Sequence, residues 1–317
     1  MTDWTSLNLI VPPHTRHFGF GGALPTGAYL DRLAEHVRSA EEIGVRGAFI
    51  YDFPIAMDPW LAAYDVLSCS RSLEPVVAVR PHVESPEATA RRAVDTAYRF
   101  HRPAHVNVVA GATKPAREGA GAEVDKVAAR ARLAEFAAQL RAEVDRRADP
   151  DGPRTLVVTP SSSTPGVVPA DAVLMMARPR AVLAEDIARV REEQGVRRVF
   201  LLIGLVVRDD EEAAWEAARE LYKPDRRQRV AGTLFVSQVV SSEHLASYAF
   251  AESGEVHDER LWFGAPARGI DAPKLVGSVA AVRSWLRSCQ DIGVTDVIVD
   301  LVPDGSEFAR FAPCLSG

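Results

Sequence analysis

Few side chains in this sequence stand where they could do chemistry, and most of those follow a short apolar run. His14, with His17 close behind, follows Leu7–Val11 and the pair Pro12-Pro13. An imidazole there can donate a hydrogen bond or carry a proton near neutral pH, or simply sit in a surface loop. Arg80 comes directly after Val76-Val77-Ala78-Val79. A cation at the end of a buried run needs a partner, either a carboxylate of the protein or an anionic ligand. Asn107 lies inside the run Val106–Val109, and Ala110-Gly111-Ala112-Thr113 follows. Its amide can donate to and accept from the edge of a planar ring, and small residues let such a ring approach the backbone. Ser161-Ser162-Ser163-Thr164 follows Thr155–Val158 and offers hydroxyls and backbone N–H groups of the kind that hold a phosphate, or forms a plain polar loop.

Other polar residues read as structural. Asp58 before Pro59 and Ser85 before Pro86 have the form of helix N-caps followed by proline at the first helical position. No Gly-x-Gly-x-x-Gly, phosphate-binding Walker loop, Gly-x-Ser-x-Gly elbow or metal-type cluster of histidines and carboxylates is present, so no metal is expected. The net charge of −6 is mild and interspersed, which argues against a nucleic-acid partner. Met1–Asn8 has no cationic stretch and no apolar run is long enough to span a bilayer, so a cytoplasmic protein without a membrane partner is expected. The three cysteines, Cys69, Cys289 and Cys314, are far apart and suit neither a disulfide framework nor a zinc site. They are expected as reduced thiols in or near the core, with Cys314 exposed in the tail.

The elements that must position these residues announce themselves by a recurring junction. Ile43-Gly44-Val45 leads into Ala48–Tyr51, Gln194-Gly195-Val196 into Val199–Leu202, and Ile292-Gly293-Val294 into Val297–Val299. Glycine closes a helix in the left-handed conformation, and the apolar run behind it suits a strand covered on both faces. Strands are predicted at Leu7–Val11, Ala48–Tyr51, Pro75–Val79, Val106–Val109, Thr155–Val158, Ala172–Met176, Val199–Val206 and Asp296–Leu301. Helices are predicted at Tyr29–Ile43, Trp60–Ser70, Pro86–Phe100, Asp125–Arg147, Arg180–Gln194, Asp210–Tyr222 and Val279–Ile292. This alternation predicts an α/β fold, a (β/α)8 TIM barrel of one domain over residues 1–317 with loop and helical insertions. Arg226–Phe250 reads as extra helix, while Gly111–Ala122, Pro160–Pro169 and Ser253–Lys274 read as loops. The first and last of these are candidate mobile covers of a pocket, because barrels build their sites at the C-terminal ends of the strands.

The stretch Val77–Val94, VAVRPHVESPEATARRAV, followed by Val106–Gly111, resembles the third and fourth units of the alkanesulfonate monooxygenase branch of the luciferase-like flavin-dependent monooxygenases. Asp58-Pro59-Trp60-Leu61, Val207-Arg208-Asp209 with Trp215, Arg268-Gly269 with Lys274–Ser278, and Phe308-Ala309-Arg310 extend the resemblance along the chain in the same order. It implies an oxidoreductase that receives reduced FMN from a separate NAD(P)H-dependent flavin reductase and, with oxygen, oxygenates a small-molecule substrate. It also implies a homodimer or homotetramer packed through the early helices. By residue, the resemblance matches His14 and Arg268 to groups at the reacting centre, Asn107 and the adjoining Ala110 to the flavin ring, and Arg130, Ser161 and Ser162 to its phosphate. The substrate side departs from the pattern: Ala56 stands for a cysteine, Leu202 and Gly204 for an arginine and a histidine, and Val302 for a tyrosine. Four polar positions become apolar or empty, so a simple alkanesulfonate is not expected as substrate. A deazaflavin-dependent hydride-transfer oxidoreductase and a non-catalytic flavin-binding barrel are the alternatives to that reading.

Overall fold

The computed structural model describes residues 7–10, 27–52, 57–111, 126–161, 170–223, 241–268, 272–300, 302 and 305–315. Eight parallel strands close on themselves: β1 (Leu7–Ile10), β2 (Gly47–Ile50), β3 (Glu74–Val79), β4 (His105–Val108), β5 (Val157–Pro160), β6 (Ala172–Met176), β7 (Arg198–Arg208) and, last in sequence, β11 (Asp296–Val299). β11 pairs with β1 in the register Asn8↔Ile298 and with β7 in the register Leu202↔Ile298, which completes the barrel. The predicted strands are all present, with ends displaced by up to two residues; β7 outgrows its prediction most, by one residue at its start and two at its end.

The strands are apolar throughout because both faces are covered. Phe49, Val76, Val158, Leu174, Phe200 and Ile298 fill the interior as one cluster. Val77, Val79, Val106, Val108, Val157, Val173, Leu201 and Val297 point the other way, into the layer beneath the helices. At about 1.5–3 kcal/mol for each fully buried large side chain, this double layer supplies the main driving force for closure.

The covering helices are α1 (Ala28–Glu42), α2 (Pro59–Cys69), α3 (Pro86–Phe100), α4 (Lys126–Arg147), α5 (Arg180–Gln194), α6 (Glu211–Leu221), α7 (Ser242–Ser253), α8 (Val279–Ile292) and α9 (Gly305–Leu315). Their ends follow the sequence signals. The Asp58 carboxylate accepts from the backbone N–H groups of Trp60 and Leu61, and the Ser85 hydroxyl from that of Ala88. Gly44, Gly195 and Gly293 all have positive φ, at 81°, 66° and 110°. Any other residue would be strained there, and at Gly293 a side chain would also meet the Arg191 guanidinium.

Several expectations need correction. Ser253–Lys274 is not simply a loop. It holds a short antiparallel pair, β8 (Val256–His257) and β9 (Leu261–Trp262), and a 3-10 turn at Pro266–Arg268, and β10 (Lys274–Ser278) starts at its end. β10 pairs with β9 on one side and with the outer half of β7 on the other, forming an annex to the barrel. Leu261, Trp262 and Phe263 are buried there, so a run of three apolar residues among the glycines and prolines builds a small core. The extra helix occupies Ser242–Ser253 within and beyond the predicted Arg226–Phe250, whose residues 226–240 lie outside the described residues. Cys314 is buried in α9 rather than exposed, and Cys69 is exposed rather than in the core. The amphipathic helix α9 packs on α8, where the Cys314 thiol donates to the Val279 carbonyl at 3.7 Å. Residues 112–122 of the predicted loop Gly111–Ala122 lie outside the described residues, as do residues 162–169 after Ser161. Among the described residues no helix is long and apolar enough to cross a membrane.

Candidate functional site at the barrel mouth

All eight barrel strands run parallel, so their C-terminal ends share one end of the barrel. The polar groups at the opposite, N-terminal end are tied to one another. Arg198 donates to both carboxylate oxygens of Asp296 at 2.9 and 3.0 Å, and His105 bridges Glu74 at 3.2 Å and the backbone N–H of Leu156 at 3.1 Å. These are structural closures. The C-terminal end is different in kind.

Asn107 is the penultimate residue of β4 and faces the barrel interior, because its neighbours Val106 and Val108 belong to the outer layer. It is 1% exposed, and its Oδ1 accepts no hydrogen bond among the described residues. A buried acceptor left unmade costs about 1–3 kcal/mol, so this oxygen calls for a donor from a bound molecule. Beyond the strand, Ala110 is half-buried and Gly111 has φ of 88°, a left-handed conformation that favours glycine. This fits the edge of a flavin ring, whose N–H groups are donors and whose flat face needs small neighbours.

On the next strand, Ser161 is buried at the end of β5. Its hydroxyl donates to Oε1 of Glu243 at 3.0 Å, and its N–H donates to the carbonyl of Leu174. Glu243, on α7, also accepts from the Met176 N–H at 3.1 Å and pairs with Arg178. Both donors of Ser161 are therefore engaged within the protein, and a phosphate would take its hydroxyl only by displacing Glu243. Arg130 is half-buried on the second turn of α4. Arg268 ends the 3-10 turn, which packs against α7. His14, His17 and Ser162 lie outside the described residues, as does Ala56.

Arg80, which required a partner, has one inside the protein. It lies just past β3 and donates from Nε and Nη2 to the two oxygens of Asp52, just past β2, at 2.6 and 2.9 Å. A two-bond guanidinium–carboxylate pair of this kind is geometrically exacting and leaves no net charge.

Three residues that the sequence reading did not assign a role complete the mouth. Asp300 follows β11 and is 1% exposed. Its Oδ2 accepts from Lys274 Nζ at 2.7 Å and from the Ala272 N–H at 3.2 Å, and its Oδ1 from the Tyr51 hydroxyl at 3.3 Å. Lys274 enters from β10 and passes over Gly204 of β7, where an added Cβ would lie 2.1 Å from the lysine Cδ. Its ammonium also stands 5.0 Å from the centre of the buried Tyr222 ring. Leu202 and Val302, two of the positions that depart from the resemblance, are buried apolar residues. The signal for the pair was present in the sequence as an isolated lysine opening one apolar strand and an aspartate ending another.

No family model matches the chain. A relative, the monooxygenase BtrO of Niallia circulans, named for a 4-(gamma-L-glutamylamino)butanoyl group on the acyl-carrier protein BtrI, is 20% identical over 314 residues, spanning 91% of this chain and 92% of its own. Among solved structures, EDTA monooxygenase EmoA from Chelativorans sp. BNC1 superposes with a TM-score of 0.70 at 14% identity, over 98% of this chain and 93% of the other. The oxygenating constituent of 3,6-diketocamphane monooxygenase from Pseudomonas putida, a type II Baeyer–Villiger enzyme in complex with FMN, superposes with a TM-score of 0.62 at 12% identity, over 98% and 97%. The closed eight-stranded barrel is thus similar in fold to the barrels of these monooxygenases.

Proposed function

We propose that the chain is a flavin-dependent monooxygenase that takes reduced FMN from a separate NAD(P)H-dependent flavin reductase and oxygenates a small organic substrate. The observation that carries this reading is the unmet, buried acceptor of Asn107 on the inner face of β4 near the barrel mouth. The monooxygenases named above, one of them holding FMN in the same fold, support it. The bound cofactor would supply the electrons and the reaction with oxygen, while the protein binds, orients and excludes water.

In this reading Asn107 and the backbone at Ala110 hold the ring. Arg130 and Ser162 serve its phosphate, a guanidinium being well suited to that group, and Ser161 joins them on giving up its hydrogen bond to Glu243. His14 and Arg268 act at the reacting centre. A substrate other than a simple alkanesulfonate is supported by two of the cations: Arg80 is matched by Asp52 and Lys274 by Asp300, so neither of these is left over for an anion. The same reading includes a cytoplasmic homodimer or homotetramer, supported by the outward-facing Leu30, Leu61 and Tyr64 of α1 and α2.

The test is an anaerobic titration of the purified protein with reduced FMN, followed by rapid mixing with oxygenated buffer under absorbance detection. Saturable binding, weakened tenfold or more in Asn107→Leu, about 1.4 kcal/mol, is expected. A transient spectrum unlike oxidised FMN should follow mixing. A wild-type protein that binds FMN in neither redox state would end this reading, and tight binding of a deazaflavin instead would select hydride transfer.

A further inference from the structure

The annex on β7 holds a cavity of about 410 Å³, lined by Trp215 and Arg219 of α6, by Glu255 just before β8, by Val256 at its start and by Trp262 of β9. That volume lies within the range of small-molecule sites, ~300–1,000 Å³. Trp262 is buried and belongs to the small core of the annex, while Trp215 is half-buried against it. Their rings meet nearly at right angles, 84°, with centroids 6.4 Å apart. Two indoles set this way form a corner against which a flat ring packs on two sides. Val256, an exposed valine, extends the apolar lining.

The two charged residues of the lining differ. The Glu255 carboxylate sits beside the Trp262 indole, because a Cβ added at Gly264 would lie 2.2 Å from its Oε1 and 2.3 Å from the indole nitrogen. Arg219 shares a helix face with Trp215, four residues earlier. Glu216 lies three residues back, at a spacing that permits a pair, and Glu220 is adjacent. Arg219 nevertheless makes no ion pair or hydrogen bond among the described residues, and Glu220 pairs with Lys223 instead. A cation in the last turn suits the C-terminal carbonyls of its helix, but that role requires neither the cavity nor the indole corner.

We infer that this cavity binds an aromatic carboxylic acid in its anionic form, with the ring in the corner of Trp215 and Trp262 and the carboxylate on the Arg219 guanidinium. An arginine takes a carboxylate through two parallel N–H bonds, which fixes the direction in which the ring enters. Glu255, which makes no ion pair with Arg219, would repel a second anionic group, so the ligand carries a single negative charge. None of these residues belongs to the barrel mouth, and the inference is independent of the flavin reading.

The experiment observes the indole N–H resonances of the full-length protein labelled with 15N-indole tryptophan, which has five tryptophans. Trp215→Phe and Trp262→Phe identify the two that line the cavity; if Trp262→Phe does not fold, Trp215 alone serves as the reporter. Titration with 3-phenylpropanoate should shift these two resonances saturably and leave the other three in place. Arg219→Gln should weaken that binding at least tenfold without changing the indole spectrum of the free protein, whereas a helix-terminal role alone would lower the urea midpoint and leave binding untouched. 2-Phenylethylamine, the same ring with a cation in place of the carboxylate, should bind at least tenfold more weakly. No saturable shift at Trp215, wild-type affinity in Arg219→Gln, or equal binding of the amine overturns the proposal.

Discussion

The ion pair between Lys274 and Asp300 sets a sharp expectation for stability at single residues. Removing one partner leaves a charge stranded in the buried interior beside the Tyr222 ring, whereas removing both leaves only a packing problem. Asp300→Ala should therefore cost about 3–5 kcal/mol in urea denaturation, while Lys274→Met combined with Asp300→Leu should cost much less or stabilise. A double variant as unstable as the single one would mean that the pair is a net source of stability rather than a functional arrangement. Arg80 and Asp52 differ in that both retain some exposure, so water shares their solvation and the corresponding single change should be milder.

At the scale of elements, Glu41 shows how one carboxylate can fasten a helix to the sheet. Standing near the end of α1, it accepts from the Ser70 hydroxyl at 2.8 Å, from the backbone N–H groups of Arg71 at 2.8 Å and Ser72 at 2.7 Å, and from the Ser72 hydroxyl at 2.8 Å. These groups form the turn between α2 and β3. Burial pushes the Glu41 carboxyl up, but the hydrogen bonds from Ser72, Ser70 and the Arg71 N–H pull it further down, to below its ordinary value of 4.5. A group bound more weakly to its proton in the folded state stabilises the fold fully above the unfolded value and loses that contribution as pH falls through the folded one. Glu41→Gln should thus lower stability at pH 7 by ~1–2 kcal/mol and flatten the loss seen below pH 4.5, measured by thermal unfolding across pH. An acid limb as steep as the wild type's would show that other carboxylates govern it.

The same scale explains what could be read in advance. The eight strands, the capped starts of α2 and α3 and the glycine-closed ends of α1, α5 and α8 were legible because each depends on residues adjacent in sequence. Asn107 was legible too, as a polar residue inside an apolar run. The annex was not: β8 and β9 are two residues each, too short for an alternation to register, and they are stabilised by packing on β10 and α6. Nor was the route of Lys274 across Gly204, which joins positions remote in sequence. The emptied position at Gly204 suggested a lost polar group, and only the neighbouring strand reveals where a cation re-enters. The engagement of Ser161 by Glu243 escaped for the same reason, since 82 residues separate them.

For the whole molecule, the exposed apolar side chains are concentrated early. Leu30 on α1 is 58% exposed and Leu61 on α2 is 61% exposed, with Tyr64 of α2 and Tyr98 of α3 also outward. Single exposed apolar residues are ordinary, but a set carried on consecutive helices of a barrel gives a surface on which a second copy can pack. Leu61→Arg is expected to weaken self-association at least tenfold, about 1.4 kcal/mol, as read by analytical ultracentrifugation. An unchanged sedimentation profile would count against these helices as a self-association surface.

The seam where β11 sits between β7 and β1 has a consequence for how the chain is made. The strand that zips the cylinder shut is the last of the eight to be synthesised, and its Asp296 meets Arg198, which lies 98 positions earlier in the chain. During translation the nascent sheet therefore carries two bare borders, β1 and the inner half of β7, until the ribosome has delivered β11. Unsatisfied strand borders recruit other chains, and a closure this remote in sequence is slow. Yield in a cell should accordingly depend on holding chaperones during synthesis more than on the final stability of the closed cylinder.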